Sequence, residues 1–182
     1  MSEINPWKTL DKKVHYESAW IRTEEHRVIN PAGKAGTYSL THFKNIAVAV
    51  IPLDAENNTW IVGQFRYPTQ TFEWEVCEGG CPEGTDPVET AKRELHEECG
   101  IISNDLELIL EMQLSNSATD EISFTYIARN LTFTESNPEE TEQLTVKKIP
   151  FSELFQMTMQ GKIKDALSVA SIFKLNEILK EK

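Results

Sequence analysis

The chain has 182 residues and a formal net charge of −11, from 18 Lys and Arg against 29 Asp and Glu. Its composition, 40% hydrophobic and 26% charged, is that of an ordinary globular protein and excludes a collagen-like repeat and a disulfide scaffold. Polar residues interrupt every apolar run well short of about 18 residues, and an acidic surface repels a phosphate backbone. We therefore expect no membrane-spanning helix and no nucleic-acid partner.

Two features favour a cytoplasmic location. Cys77, Cys81 and Cys99 are an odd number of cysteines without a CxxC pair, which fits a reducing compartment. Residues Met1 to Pro6 lack the basic cluster and apolar core of a signal peptide. We expect a cytoplasmic protein.

The first part of the chain is predicted to form strands, because β-branched and aromatic residues alternate between turn signals. Ile46–Ile51 is a continuous apolar run typical of a buried central strand, and we expect it to form a hairpin with Thr59–Phe65 across the turn at Glu56. Gly79-Gly80 is expected to break the short extended segment Phe72–Val76. The other strands predicted here are Val14–Asn30, Thr37–Phe43 and Phe72–Val76.

A helix is predicted next, with Asp86 as its N-cap, Pro87 at its first position, Glu89 completing a capping box and Gly100 as its terminator. Further strands and two C-terminal helices follow it. The whole pattern favours an α/β sandwich of mixed sheets. The strands are Leu106–Leu114, Ile122–Ala128 and Leu144–Ile149, and the helices are Phe151–Gln160 and Ala166–Leu179.

The mid-chain helix has two faces of different chemistry. Glu94, Glu97 and Glu98 form an acidic stripe, and like-charged pairs at this spacing destabilise a helix by about 0.2–0.5 kcal/mol each. A divalent cation removes that repulsion, and hard carboxylate oxygens suit Mg²⁺ or Mn²⁺. A solvated acidic face is the alternative. The stripe lies beside an apolar one made of Val88, Ala91, Leu95 and Cys99.

The spacing of Gly79, Thr85 and the run Arg93–Ile101 is that of a known motif. The segment resembles the Nudix box, Gly-x5-Glu-x7-Arg-Glu-U-x-Glu-Glu-x-Gly-U with U aliphatic, and eight of the nine specified positions match. The departure is Thr85, where the family usually carries Glu.

The resemblance extends to most of the chain. Gln64–Pro68 and Phe72–Val76 are similar to the segment before the box in ADP-ribose pyrophosphatases and related nucleoside-diphosphate-sugar hydrolases. Pro31–Gly33 and the late segment Gly161–Ala166 also resemble that branch. It implies a Nudix-type α/β/α sandwich of mixed sheets with an N-terminal antiparallel strand extension. Residues 1–44 would be a dimerising strand region and residues 45–182 the hydrolase domain, which makes a homodimer the expected assembly.

The same resemblance implies the site residues. Glu94, Glu97, Glu98 and the backbone carbonyl of Glu78 would bind Mg²⁺, for which Mn²⁺ can substitute, with Arg93 orienting Glu97. Glu97 is also placed among the catalytic residues. Arg66 would clamp phosphate or sugar with its guanidinium group. Glu75 and Glu121 would reach sugar hydroxyls, and the general base would be Glu140 or Glu142 in an acidic loop. Apart from the resemblance, Trp20, Tyr38 and Trp74 are aromatic residues suited to stacking on a base, and Trp20 is the one taken as a substrate contact.

The implied function is Mg²⁺-dependent hydrolysis of the pyrophosphate bond of a nucleoside diphosphate sugar, such as ADP-ribose or GDP-mannose. The products would be a nucleoside monophosphate and a sugar phosphate. Two alternatives stay open. One is the same chemistry on dinucleotides or nucleoside triphosphates, and the other is a Nudix domain that binds nucleotide sugars without hydrolysis.

Overall fold

The computed structural model of the chain describes residues 4–136 and 143–181. These residues form two compact units. The first contains the chain up to Asn45 together with the segment Gln113–Glu121, and the second contains Ile46–Met112 and the chain from Ile122. That the segment 113–121 belongs with the N-terminal strands was not predicted. The division between residues 44 and 45 stays a prediction.

The N-terminal unit is an antiparallel sheet in the order β1-β2-β3. The segment Gln113–Glu121 is tied to β3 through its backbone, since the Thr41 N–H donates to the Ala118 carbonyl over 2.9 Å. Asp120 accepts from the Phe43 N–H at 3.0 Å and also pairs with His42. The strands are β1 (Lys8–Glu17), β2 (Ile21–Ile29) and β3 (Ala35–Phe43).

The second unit contains three sheets and three helices among its described residues. Its sheets have the orders β7-β4-β10-β9, β12-β5-β6 and β11-β8. The β4–β10 pair is parallel, whereas β5 pairs antiparallel with both neighbours. The strands are β4 (Asn45–Pro52), β5 (Asn58–Arg66), β6 (Thr71–Glu75), β7 (Cys77–Pro82), β8 (Ile101–Ile102), β9 (Asp105–Gln113), β10 (Ile122–Arg129), β11 (Thr132–Phe133) and β12 (Thr145–Pro150).

The helices are α1 (Pro87–Cys99), α2 (Phe151–Met159) and α3 (Ala166–Lys180). None of the helices in the described ranges is long and apolar enough to cross a membrane. The prediction of a mixed α/β fold with an antiparallel N-terminal extension is confirmed.

Strand β4 is the buried central strand that its apolar run predicts. It lies between β7 and β10, and its residues from Val48 to Pro52 are all buried. Ala91 and Leu95 of α1 pack in the same core as β4 and β5. The core therefore fixes where α1 lies against the strands that precede it.

The predicted hairpin of β4 with β5 is wrong, because the two strands belong to different sheets. At the turn between them, the Asp54 carboxylate accepts from the Glu56 and Asn58 N–H groups at 3.0 and 2.7 Å. A tight turn of this kind is compatible with a hairpin or with a change of sheet. Pairing with distant strands decides, since β4 pairs with β10 and β5 pairs with β6 and β12.

The predicted break at Gly79-Gly80 is also wrong, since both glycines lie inside β7, which pairs with β4. Glycine within a strand often marks a close approach of another group to the backbone. That explanation holds here, because a Cβ atom built on Gly79 would lie 1.9 Å from Cδ of Glu94 on α1.

Candidate active site

The ends of α1 are set by the residues that the sequence singles out. The Asp86 side chain accepts from the Val88 N–H at 3.0 Å, Pro87 begins the helix, and Gly100 ends it in the left-handed conformation at φ +63°. The Gly100 N–H donates to the His96 carbonyl at 2.9 Å. The Glu89 side chain bonds Lys92 at 2.6 Å rather than completing the predicted capping box. These caps fix the register of the acidic stripe on α1.

The acidic stripe of α1 is largely removed from solvent. Glu94 and Glu98 are only 9% and 2% exposed, and Glu97 is half-buried. A carboxylate at this depth needs hydrogen bonds or ion pairs to stay ionised. The alternative of a solvated acidic face is therefore wrong for Glu94 and Glu98.

Arg93 forms ion pairs with two carboxylates of the acidic stripe. Its guanidinium forms ion pairs with Glu94 and, one turn along the helix, with Glu97. It also donates to the Gly80 carbonyl at 3.4 Å. Arg93 thereby links two carboxylates of α1 to the backbone of β7, in agreement with the expectation that it orients Glu97.

The backbone of β7 is packed directly against the same carboxylates. The Glu78 N–H donates to Oε2 of Glu98 at 3.1 Å. Gly79 leaves the space that Glu94 fills, because a side chain there would overlap the Glu94 carboxyl group. Any residue larger than glycine at position 79 would displace Glu94 or β7.

The donor set of this cradle fits a hard divalent cation. Glu94 and Glu98 supply two buried carboxylates beside the glycine backbone of β7, and such oxygen ligands suit Mg²⁺ or Mn²⁺. Within residues 4–136 and 143–181, no three His, Cys, Asp or Glu side chains are already arranged to hold a metal. Backbone carbonyls and water are therefore needed to complete coordination, which is common for Mg²⁺.

Whereas the Glu78 backbone bonds α1, its side chain is held by the start of α3. The Ser168 hydroxyl donates to Oε1 of Glu78 at 2.6 Å, and Oγ of Ser168 accepts from the Val76 N–H at 3.1 Å. Burial raises the pKa of Glu78 well above its usual range, and the nearby Asp165 carboxylate adds to that rise. Neither Ser168 nor Asp165 is predicted as a site residue from the sequence.

Arg66 and Glu75 form a second cluster beside Glu78. The Arg66 Nε donates to both carboxylate oxygens of Glu75, at 3.0 and 2.9 Å, and Nη2 completes the pair. Burial opposes the charge on Arg66, but the Glu75 hydrogen bonds raise its pKa overall. The two residues line a cavity of about 290 Å³, whose other lining residues are Pro68, Thr69, Glu73, Lys164 and Asp165.

A family model described as the NUDIX domain matches residues 43–168. The chain belongs to the NUDIX family. The Nudix box thus contains the acidic face of α1, and the match extends as far as Ser168. Nudix hydrolases generally use a divalent metal, for which the oxygen ligands around Glu94 and Glu98 are suited.

Three of the similar proteins match nearly the whole chain. A methanol dehydrogenase activator of Bacillus methanolicus is 27% identical over 186 residues and is matched along 100% of both chains. An ADP-ribose pyrophosphatase of Bacillus subtilis is 28% identical over 167 residues, 91% of this chain and 90% of its own. A crystal structure of an ADP compounds hydrolase shares the fold, with a TM-score of 0.87 at 20% identity over 100% of this chain and 98% of that one.

The structure brings together six of the residues that the Nudix resemblance singles out. They are Arg66 and Glu75 in one cluster and Glu78, Glu94, Glu97 and Glu98 in the other. Glu121 and Trp20, which is 68% exposed, belong to the N-terminal unit. Glu140 and Glu142 lie outside the described residues.

Lys164 is a further residue of the cavity that sequence reasoning missed. Its Nζ bonds both carboxylate oxygens of Glu73, at 2.9 and 3.2 Å, and lowers the pKa of that carboxyl. The signal available was the Gly161–Ala166 segment, which resembles the same Nudix branch but does not reveal which side chain faces the cavity.

Proposed function

We propose that this chain hydrolyses the pyrophosphate bond of a nucleoside diphosphate sugar, with ADP-ribose as the first substrate to test. The products are a nucleoside monophosphate and a sugar phosphate. The observation that carries the proposal is the pair of buried carboxylates, Glu94 and Glu98, packed against the backbone of β7. The relative named ADP-ribose pyrophosphatase supports this substrate class.

Glu94, Glu97, Glu98 and the carbonyl of Glu78 are the residues that would hold Mg²⁺, with Mn²⁺ as a substitute. When bound there, the cation would supply charge neutralisation of the diphosphate and activation of water. Glu97 is half-buried and already paired with Arg93. Arg93 fixes the direction of that carboxylate, as partners of metal ligands commonly do.

Arg66 is the residue that would bind the anionic part of the substrate. Its bonds to Glu75 use Nε and Nη2, so Nη1 is not engaged by that carboxylate. Guanidinium groups held in one orientation bind phosphate oxygens or sugar hydroxyls with high directionality. Glu75 orients Arg66 and remains an expected contact to sugar hydroxyls, and Lys164, which pairs with Glu73, is a second cation in the cavity.

The general base is assigned to Glu140 or Glu142. Replacing each with Gln should lower kcat for ADP-ribose by about 100-fold or more at the true base, because a lost general base removes about that much. Steady-state kinetics of the two variants measures this. If neither variant loses activity on that scale, the base lies elsewhere.

A homodimer formed through the N-terminal sheet is part of the same proposal, as is a cytoplasmic location. All ten residues of β1 are exposed, and they include Leu10, Val14 and Tyr16 at 49, 48 and 57%. Exposed apolar side chains along an edge strand favour pairing with another chain. Glu121 and Trp20 remain expected substrate contacts.

The test is incubation with Mg²⁺ and a panel of nucleoside diphosphate sugars, dinucleotides and nucleoside triphosphates in H₂¹⁸O, with products followed by mass. We expect nucleoside monophosphate from the diphosphate sugars, ¹⁸O in one of the two products, and no reaction in EDTA. Cleavage of triphosphates or dinucleotides alone would favour the second substrate class. Tight binding of a nucleotide sugar without products would favour a binding domain.

A further inference from the structure

Ser168, in the first turn of α3, is fully buried and holds two points of the chain about 90 residues earlier. Its hydroxyl accepts from the Val76 N–H at 3.1 Å and donates to the Glu78 carboxyl at 2.6 Å. Its own N–H is held by the Asp165 carboxylate at 2.7 Å, which caps the helix. Ser168 is therefore held in place by the cap of α3 while its hydroxyl bonds both Val76 and Glu78.

The segment that Ser168 holds is the one that lies against the acidic face of α1. Val76 and Glu78 flank Cys77, and Gly79 follows immediately. The Glu78 N–H donates to Glu98, and Gly79 packs on the Glu94 carboxyl group. A shift of residues 76–78 would thus move the backbone away from both carboxylates.

We propose that Ser168 is a positioning residue for the metal centre, because it holds the Glu78–Gly79 backbone against Glu94 and Glu98. This inference rests on the proposed function, since it assumes that the cradle binds a divalent cation. The first turn of α3 thereby becomes part of the site although it supplies no ligand. Residues that orient ligands commonly change metal affinity 10- to 100-fold when they are replaced.

The chain contains a matched control on the same helix. Ser171 is also fully buried, and its hydroxyl bonds Oγ1 of Thr125 at 2.7 Å, within the core rather than at β7. Ser168→Ala and Ser171→Ala each remove one buried hydroxyl. Both should lower Tm, because an unsatisfied buried polar partner destabilises the fold.

Mn²⁺ affinity of the full chain without substrate, measured from the free-ion EPR signal, separates the two variants. We expect Ser168→Ala to weaken Mn²⁺ binding at least tenfold, Ser168→Thr to restore it to within threefold of wild type, and Ser171→Ala to leave it within threefold. Unchanged affinity in Ser168→Ala, or equal weakening in Ser171→Ala, would overturn the inference.

A measurement on the wild type keeps the inference testable if Ser168→Ala does not fold. Thermodynamic coupling is reciprocal: if the Ser168 contacts favour cation binding, cation binding must stabilise the Ser168 contacts. Saturating Mg²⁺ should slow hydrogen exchange of the Val76 and Ser168 amides at least threefold more than that of the Leu53 amide, which bonds the Ala128 carbonyl. Equal slowing of all three amides would contradict the inference.

Failure of the inference can be told apart from failure of the proposed function. Wild type that binds Mn²⁺ but leaves every nucleotide sugar intact contradicts the function alone. Wild type that hydrolyses ADP-ribose, with Mn²⁺ affinity insensitive to Ser168, contradicts the inference alone. Wild type that binds no Mn²⁺ contradicts both, because there is then no metal centre to position.

Discussion

Glu94, Glu97 and Glu98 share one turn of α1 but have different surroundings. Glu98 is the most deeply buried and accepts a backbone N–H from Glu78, whereas Glu97 is half-buried and paired with Arg93. Glu94 lies between Gly79 and Arg93. Buried carboxylates interact more strongly with a cation than exposed ones, because screening by water is reduced.

Glu98→Gln and Glu97→Gln should each lower kcat with ADP-ribose at least about 100-fold. Each change removes a negative charge from the cradle while keeping the shape of the side chain, so transition-state stabilisation through the cation is lost. Steady-state kinetics over a range of Mg²⁺ concentrations measures the effect. Glu89→Gln is the matched control, since Glu89 is on the same helix but exposed and paired with Lys92. Activity near the wild-type level in Glu98→Gln would show that the acidic face of α1 is not the metal site.

At the level of single residues, the sequence predicts contacts that are local and misses those that are not. The three acids of α1 are spaced by one helical turn, so their common face follows from the sequence alone. The bond from Ser168 to Glu78 joins residues 90 positions apart, and no local pattern indicates it. The Arg66–Glu75 pair is intermediate, because both residues are singled out but their mutual contact is not predicted.

At the level of elements, the site depends on how closely α1 approaches β7. Gly79 makes that approach possible, since a Cβ atom there would lie 1.9 Å from both Cδ and Oε1 of Glu94. Contacts under about 3 Å between such atoms require something to move. With any other residue at this position, the Glu94 carboxyl group therefore has to leave its present place unless α1 and β7 separate.

Gly79→Ala should destabilise the fold by about 1–3 kcal/mol, as overpacking of a core does. It should also lower activity at least tenfold, because Glu94 is displaced from the cradle. Urea unfolding and steady-state kinetics measure the two effects. Gly36→Ala serves as the comparison, since a Cβ there meets nothing within 4 Å, and we expect its unfolding free energy to stay within about 0.5 kcal/mol of wild type. Gly79→Ala with wild-type stability and activity would mean that the close approach of Glu94 to Gly79 is needed neither for the fold nor for the site.

Helix ends are predicted from the sequence better than strand pairings, because caps are local and pairings are not. The ends of α1 follow from Asp86, Pro87 and Gly100, whose preferences are local. The assignment of β4 and β5 to different sheets depends on pairing with β10 and β12, strands far along the chain. The strand character of Gly79 and Gly80 likewise depends on pairing with β4 and on the side chain of Glu94.

For the whole molecule, the net charge of −11 poses a problem for an enzyme with an anionic substrate. Long-range repulsion slows the encounter of like charges, and salt screens this repulsion at separations beyond about 8–10 Å. The cavity contains two cations, Arg66 and Lys164, but also the carboxylates of Glu73, Glu75 and Asp165, so its lining carries no net positive charge. The positive charge that offsets the repulsion would therefore have to come from a cation bound at Glu94 and Glu98.

The assembly of the whole molecule is predicted to be a homodimer, because β1 is exposed along its full length and carries Leu10, Val14 and Tyr16. Light scattering should give twice the 20.8 kDa mass of one chain. Replacing both Leu10 and Val14 with Lys should shift the protein to the monomer mass, since the two new charges would be desolvated at the interface. Lys13→Gln changes a charge on the same strand without removing apolar surface, so it should remain dimeric. A wild type that is monomeric at all concentrations tested, or a Leu10/Val14 variant that stays fully dimeric, would exclude this strand as the interface.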